Sequence, residues 1–225
     1  MSDVLTIESF DRSYRIINPG AGRVGSKLVM GEPYEKRLLV DIYQAAHTGT
    51  AFDVGAHIGN HTLYLAAVCG LKVHAWEPYP KSRAMLLDNL ALNPDLDVTV
   101  HDWAAGASDA RGRFTPGMWI EFDPNRDGAA LKTNRGDVPV HRIDDHVDIE
   151  DLTVIKVDVE GMEADVLAGA VGHIRRCRPT IYTEAHTDQD HDAVANVLEP
   201  EGYTVTRHIR MGSLMERWQH PKGPS

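Results

Sequence analysis

The sequence predicts an α/β fold: a mostly parallel sheet with helices on both faces and a closing antiparallel hairpin. Three observations carry this. From residue 50 onward, short β-branched runs alternate with helical stretches, the pattern of strands joined by crossover helices. The first run passes directly into a turn holding two glycines. The most apolar run, Val154 to Val159, has the composition of a central strand covered on both faces.

The elements follow in order. Residues 1–48 read as an extension of helix and loop packing on the core, with Pro19 to Gly25 as a glycine-rich loop and Glu35 to Ala46 as a helix. Thr50 to Val54 is the first strand, followed by the turn Gly55-Ala56-His57-Ile58-Gly59 and a helix from Asn60 to Val68. Lys72 to Glu77 is the second strand, closed by Pro78 and Pro80. A helix over Ser82 to Leu92 places Met85, Leu86, Leu90 and Leu92 near helical spacing. Val98 to His101 is the third strand and Val154 to Val159 the fourth. After Arg178-Pro179 come a fifth strand, Thr180 to Glu184, and a helix over Asp188 to Leu198. Tyr203 to Met211 and Ser213 to Trp218 can pair as the closing hairpin. Residues 49–218 thus form one domain with an insertion at 111–137, and 219–225 form a flexible tail. The insertion holds four Gly, two Pro and four Arg around Met118-Trp119-Ile120, which reads as a loop with a short hairpin.

Composition narrows the function. Of the 225 residues 42% are hydrophobic and 25% charged, the balance of a soluble globular chain rather than a disordered or fibrous one. No apolar run approaches the roughly 18 residues of a membrane span. The start, MSDVLTIESFD, lacks the basic and apolar regions of a signal peptide, so a cytoplasmic location is expected. Two cysteines, Cys69 and Cys177, are too few for a disulfide scaffold or a zinc cluster. The net charge of −10 opposes broad contact with a phosphate backbone, so neither nucleic acid nor membrane is the expected partner. The acidic two-sided surface and the Trp119 hairpin are compatible with a homodimer.

The chemistry begins at the glycine turn. Asp53 ends a strand, and Gly55 and Gly59 let backbone approach a ligand where the next helix offers unpaired amides. His57 breaks the G-x-G-x-x-G pattern of dinucleotide enzymes, which argues against an oxidoreductase or sugar-nucleotide enzyme on the same sheet. An acid beside the turn suits a ligand with an ammonium and a sulfonium, S-adenosylmethionine. Glu77, 24 residues on at the end of the second strand, can accept both ribose hydroxyls. Asp102 and Trp103 follow the third strand, where Asp102 can meet the adenine amino group and Trp103 can pack on the ring.

Three segments together resemble the FkbM family of S-adenosylmethionine-dependent methyltransferases: Phe52 to Thr62, Trp76-Glu77-Pro78-Tyr79-Pro80, and Ile155 to Ala170, which reads IKVDVEGMEADVLAGA. The resemblance spans roughly residues 50–186 and implies a class I methyltransferase fold, Rossmann-like in layout. It also implies methyl transfer to a hydroxyl oxygen of a sugar or glycan precursor, or else of a polyketide, lipid or other natural product. His57 departs from the family pattern, which generally has Asn there.

Ligands of open parallel sheets bind beyond the carboxyl ends of the strands, where Asp53, Glu77, Asp158 and Glu184 all fall. A sugar hydroxyl is a poor nucleophile at neutral pH, so some group must take or weaken its proton. Two solutions are open. Asp158 and Glu184 can coordinate Mg²⁺ and the acceptor oxygen, lowering its pKa. Alternatively His186 or His141 acts as general base, with Glu160 orienting the acceptor or the imidazole. The two can coexist. Competing structural roles are a helix cap for Asp158, solvated surface for Glu163, and packing for Tyr34 and Glu35.

Overall fold

A computed structural model describes residues 3–46, 48–114, 131–133, 136–211 and 213–224. The core is a seven-stranded sheet of β3 (Thr50–Val54), β4 (Lys72–Trp76), β5 (Val98–His101), β10 (Leu152–Val157), β11 (Thr180–Glu184), β12 (Thr204–Arg210) and β13 (Leu214–Gln219). Its order is β12-β13-β11-β10-β3-β4-β5. The β10, β11, β3, β4 and β5 neighbours pair in parallel, and β13 lies antiparallel between β11 and β12. The chain runs outward from β3 to β5 and then returns to place β10 on the other side of β3. This reversal is the switch point beside which a ligand crevice forms.

Helices α3 (Asn60–Ala67), α4 (Pro80–Ala91), α6 (Glu163–Gly169), α7 (Val171–Cys177) and α8 (Asp188–Leu198) connect these strands. Apolar residues bury on both faces, in one cluster around Leu38, Leu63, Tyr64 and Val73, and in another around Phe52, Ile155, Leu167 and Trp218. Every residue of β3 and β11 is buried, which explains their continuous β-branched and aromatic composition.

The N-terminal extension contains more β structure than the sequence predicts. β1 (Val4–Ser9) and β2 (Arg12–Ile17) form a hairpin whose turn, Phe10-Asp11, has both residues at positive φ. Primed turns of this kind usually use Asn-Gly, and with neither Asn nor Gly present the hairpin carries no turn signal. Ile7, Tyr14 and Ile16 alternate into the core. Asn89 of α4 secures the hairpin to the glycine turn: its Oδ1 accepts from Ile17 N (2.7 Å) and its Nδ2 donates to Ile58 O (2.8 Å). The loop placed at Pro19 to Gly25 gives way to helix α1 (Arg23–Val29), and helix α2 (Lys36–Ala45) begins after Glu35.

A second small sheet follows β5, of β6 (Ala104–Ala105), β7 (Ala110–Phe114), β8 (Leu131–Thr133) and β9 (Val138–His141), in the order β6-β9-β7-β8. A short helix, α5 (Ile143–His146), leads from it toward β10. Within the insertion, β7 and β8 pair antiparallel, while the hairpin expected around Met118-Trp119-Ile120 lies outside the described residues. Gln219, where the flexible tail was expected to begin, is the last residue of β13, and the ring of His220 packs edge-on against Tyr203. No helix among the described residues is long and apolar enough to cross a membrane.

Candidate active site

The crevice opens where β3 and β10 end. Asp53 and Lys156 are register partners on these neighbouring strands, so their side chains project side by side. Lys156 is 1% exposed, with its Nζ 3.3 Å from Asp53 Oδ1, 3.5 Å from Asp158 Oδ2, and donating to Gly55 O at 3.1 Å. Burial works against its charge, yet Asp53, Asp158 and Glu35 outweigh that and hold its pKa above the ordinary lysine range. Asp53 is wholly enclosed, and its Oδ2 accepts from Thr62 Oγ1 at 2.6 Å. Its carboxylate is thus turned inward, toward Lys156 and α3.

The glycine turn is set by backbone chemistry. Gly55 has φ +85°, and a Cβ there would lie 1.9 Å from Asp158 O, so the turn can pass β10 only with no side chain. His57 has φ +51°, in the left-handed region where Asn, Asp and His are the tolerated non-glycine residues. That shared tolerance is the physical basis for His where the resembling family has Asn. Its N–H donates to Glu77 Oε2 (2.8 Å), while Tyr79 N–H donates to Glu77 Oε1 (2.8 Å). Glu77 therefore fastens the turn to the end of β4. Burial pushes its carboxyl up to about 7, against the opposing pull of these two N–H groups, Lys156 and Arg83.

Asp102 is exposed beyond β5, and Trp103 packs edge-on against Trp76 at 5.6 Å. Trp103 also meets the rings of His141 and His146, and Asp109 Oδ1 lies 2.9 Å from His141 Nδ1 and 4.0 Å from His146 Nε2. His141 thus belongs to a cluster on the β4–β5 side of the sheet.

Glu184, His186, Glu160 and Asp158 gather on the other side. His186 Nε2 lies 3.1 Å from Glu184 Oε2 and 3.9 Å from Glu160 Oε2. These three residues offer ligand atoms all within 4.8 Å of one another. The cap of α8 holds His186 in place: Thr187 and Asp190 form a capping box, and His186 N–H donates to Asp190 Oδ2 at 3.1 Å. Asp158 and Glu184 are close enough for the charge of one to disfavour ionisation of the other, so the pair holds one proton. Burial and the Asp158 charge raise Glu184 to about 9. Burial also disfavours ionised Asp158, but the Lys156 ammonium and the neighbouring Glu184 carboxyl hold it below the usual carboxylate range. The proton therefore resides on Glu184. Of the two acids expected to hold Mg²⁺, Asp158 is paired with Lys156, and Glu184 is one of the three residues whose ligand atoms cluster. Among the described residues His141 and His186 share no contact, and β10 and β3 lie between β11 and β4.

Several residues acquire roles that the sequence did not reveal. Asp158 does not cap α6, whose cap position is Met162. Glu163 is buried rather than solvated, and its Oε1 accepts from Val159 N (3.1 Å) and Gly161 N (3.3 Å), bracing a turn in which Glu160 has φ +56°. His61 is also buried, with Nε2 3.3 Å from Glu35 Oε2. Asn60 clamps the backbone of Tyr34 through two 3.1 Å hydrogen bonds. Lys156 had a findable signal, since a lysine inside a doubly covered strand needs an acid beside it.

Comparison with known proteins adds the following. Residues 53–205 match the family model of the methyltransferase FkbM domain. The hexuronic acid methyltransferase AglP of Haloferax volcanii is 28% identical over 203 residues, covering 86% of this chain and 74% of AglP. The crystal structure of methyltransferase FkbM from Methylobacillus flagellatus KT aligns with a TM-score of 0.57 at 26% identity. That match covers 76% of this chain but 44% of the Methylobacillus chain, so this chain spans less than half of it. The M. jannaschii TYW2 structure in complex with AdoMet aligns over 98% of this chain and 88% of TYW2, with a TM-score of 0.51 at 11% identity, a likeness of fold alone.

Proposed function

Since the chain belongs to the FkbM methyltransferase family, we propose that it carries the methyl group of S-adenosylmethionine to a hydroxyl oxygen of a sugar or glycan precursor. The observation that carries this reading is the meeting of two chemically different groups of residues at one switch point. The glycine turn fastened by Glu77 lies on one side of Lys156, and the Glu184–His186 pair lies on the other. The relative named as a hexuronic acid methyltransferase supports a sugar acceptor. Family membership sets aside the dinucleotide oxidoreductase.

On the donor side, Gly55 and Gly59 bring backbone to the methionine and ribose, and the remaining lone pairs of Glu77 accept the ribose hydroxyls. His57 contributes its backbone to that arrangement. Trp103 offers adenine an aromatic edge, with exposed Asp102 beside it. Asp53 acts as a positioning residue: it holds Lys156, which in turn holds Gly55 O.

On the acceptor side, His186 takes the hydroxyl proton while the oxygen attacks the methyl carbon in line. The C–O bond forms, the C–S bond breaks, and the sulfonium leaves as neutral S-adenosylhomocysteine. Glu184 and Glu160 orient the imidazole. Mg²⁺ prefers an all-oxygen octahedron, whereas Asp158 is already paired with an ammonium and Glu184 lies against the His186 imidazole. The donor set fits a proton better than that ion, and this mechanism has no metal step.

Transfer of labelled methyl to a panel of sugars, with and without chelator, tests the assignment. His186→Gln is expected to lower kcat by about 10²–10⁴ while S-adenosylhomocysteine binding stays within about threefold. A variant with undiminished kcat overturns the base assignment, and activity lost to chelator and restored by Mg²⁺ overturns the metal-free mechanism.

A further inference from the structure

A groove of about 970 Å³ lies between α2 and β12. In a chain of net charge −10, this groove has the opposite character. Its lining holds five cations, Lys27, Lys36, Arg37, Arg207 and Arg210, against three acids. All three acids are already engaged. Glu32 pairs with Lys27 (3.8 Å) and Lys36 (3.2 Å), and Glu35 faces His61. Buried Asp41 binds Arg207, Arg217 and the Tyr182 hydroxyl, so it fixes Arg207 as part of the groove floor. Arg37 and Arg210 are exposed and have no ion-pair partner among the described residues.

The topology places these two arginines at the acceptor end of the molecule. β12 is antiparallel to β13, and β13 is antiparallel to β11, so β12 and β11 run the same way and end on the same rim. Arg210 is the last residue of β12, as Glu184 is of β11. Arg37 lies in the first turn of α2, where Leu38 N–H meets Met211 Sδ at 3.3 Å and so joins that turn to the end of β12. Just beyond, Ala185 N donates to Leu214 O (2.9 Å), which ties the start of β13 to the end of β11. The Tyr34–Glu35 wall of the groove reaches His61 and the crevice from the other side.

We propose that this groove holds an acidic group of the acceptor, a carboxylate or phosphate carried on the sugar, between Arg37 and Arg210, while the hydroxyl to be methylated lies at His186. The proposal rests on the reading of the Glu184–His186 rim as the acceptor side. Guanidinium forks match both oxyanions and bind them by charge-assisted hydrogen bonds. The groove would therefore select acidic acceptors over neutral ones in a protein whose remaining charge repels them.

The test is calorimetric titration of the full chain, saturated with S-adenosylhomocysteine, with glucuronic acid, glucose 6-phosphate and glucose. At least one acid should bind about tenfold more tightly than glucose, and whichever does identifies carboxylate or phosphate as the group held. The double variant Arg37→Gln/Arg210→Gln should reduce that preference to within threefold. Lys72→Gln, which removes an exposed charge at the opposite rim, should retain it. Equal binding of glucose and the acids, no measurable binding of either acid, or an undiminished preference in the double variant each overturns the proposal. Because turnover is not involved, acid-selective binding through these arginines without methyl transfer to any sugar would uphold the groove and count against the O-methylation reading instead.

Discussion

Replacing Lys156 by Met removes the ammonium that lies 3.3 Å from Asp53 and 3.5 Å from Asp158, and leaves two acids facing each other. Removing one partner of a buried ion pair costs about 3–5 kcal/mol, because the remaining charge is stranded. Asp53 is fully enclosed and bears that penalty, whereas Asp158 has 28% of its side chain exposed and is relieved by water. The lower end, about 3 kcal/mol, is therefore expected, or roughly 6–12 °C in Tm for a chain of this size. Urea titration and thermal scans at pH 7.5 give the loss directly. A second substitution separates pairing from packing: Asp53→Asn in the Lys156→Met background should recover more than half of the loss, since it removes the stranded charge. Acid pH provides an independent check on sign. In the wild type, the lowered pKa of Asp158 contributes stability above the unfolded carboxylate value that is lost as pH falls through the folded value. In the single variant the Lys156 contribution to that lowering is gone, so stability should fall less steeply on acidification. A loss below about 1 kcal/mol, or a double variant no more stable than the single, would refute the pairing.

Three further predictions concern the crevice. Glu77→Ala should weaken S-adenosylhomocysteine about 10- to 100-fold by equilibrium dialysis, the loss expected for hydroxyls bonded to a charged acceptor; a change under threefold would remove Glu77 from the ribose site. Because burial sets this carboxyl at about 7 and the ionised form is the better acceptor, wild-type affinity should rise from pH 6 to 8, and in Glu77→Gln it should stay flat. Glu184 has the opposite stability sign to Asp158: its raised pKa means that stability is fully present below the unfolded value of about 4.3 and drains away as pH rises toward about 9. Glu184→Gln should therefore flatten Tm between pH 5 and 9 and raise it at pH 8; a profile as steep as the wild type's would contradict the shared proton. At His57, with φ +51°, Val should cost about 1–2 kcal/mol in denaturant titration while Asn stays near neutral, and equal losses would show that the left-handed backbone is not what selects the residue.

Legibility in the sequence followed burial. β3, β10 and β11 were readable because strands covered on both faces are largely apolar or β-branched, and α4 and α8 because their apolar residues recur near helical spacing. The β1–β2 hairpin was not, since Phe10-Asp11 adopts a turn that glycine usually marks and half of each strand faces water. The small sheet of β6 to β9 was also illegible: its strands are two to five residues long, too short for a period to show. Strand ends located Asp53, Glu77, Asp158 and Glu184, because a parallel sheet brings such positions to one rim. What strand ends do not reveal is protonation and pairing, which depend on neighbours across the sheet. The inward turn of Asp53 follows from Lys156 one strand away, and the raised pKa of Glu184 follows from Asp158.

The same rim explains why donor and acceptor are read by different means. Glu184, Asp158, Asp53 and Glu77 stand at the ends of four consecutive strands, β11, β10, β3 and β4, which lie about 4.8 Å apart. Adjacent unit charges at that spacing repel by roughly 3 kcal/mol at an effective dielectric of 20, so four free carboxylates could not coexist there. One proton on Glu184 relieves the β11–β10 pair, and one ammonium on Lys156 relieves the β10–β3 pair. Glu77 accepts instead from two backbone N–H groups, that of His57 in the glycine turn and that of Tyr79 just beyond β4. On the proposed reading, a sulfonium in this crevice meets acids that are already compensated, which leaves recognition to the ribose and the glycine turn. Those features are unchanged when the donor loses its charge. Charge selection, as proposed, is left to the α2–β12 groove at the edge of the sheet, where Arg37 and Arg210 have no ion-pair partner among the described residues.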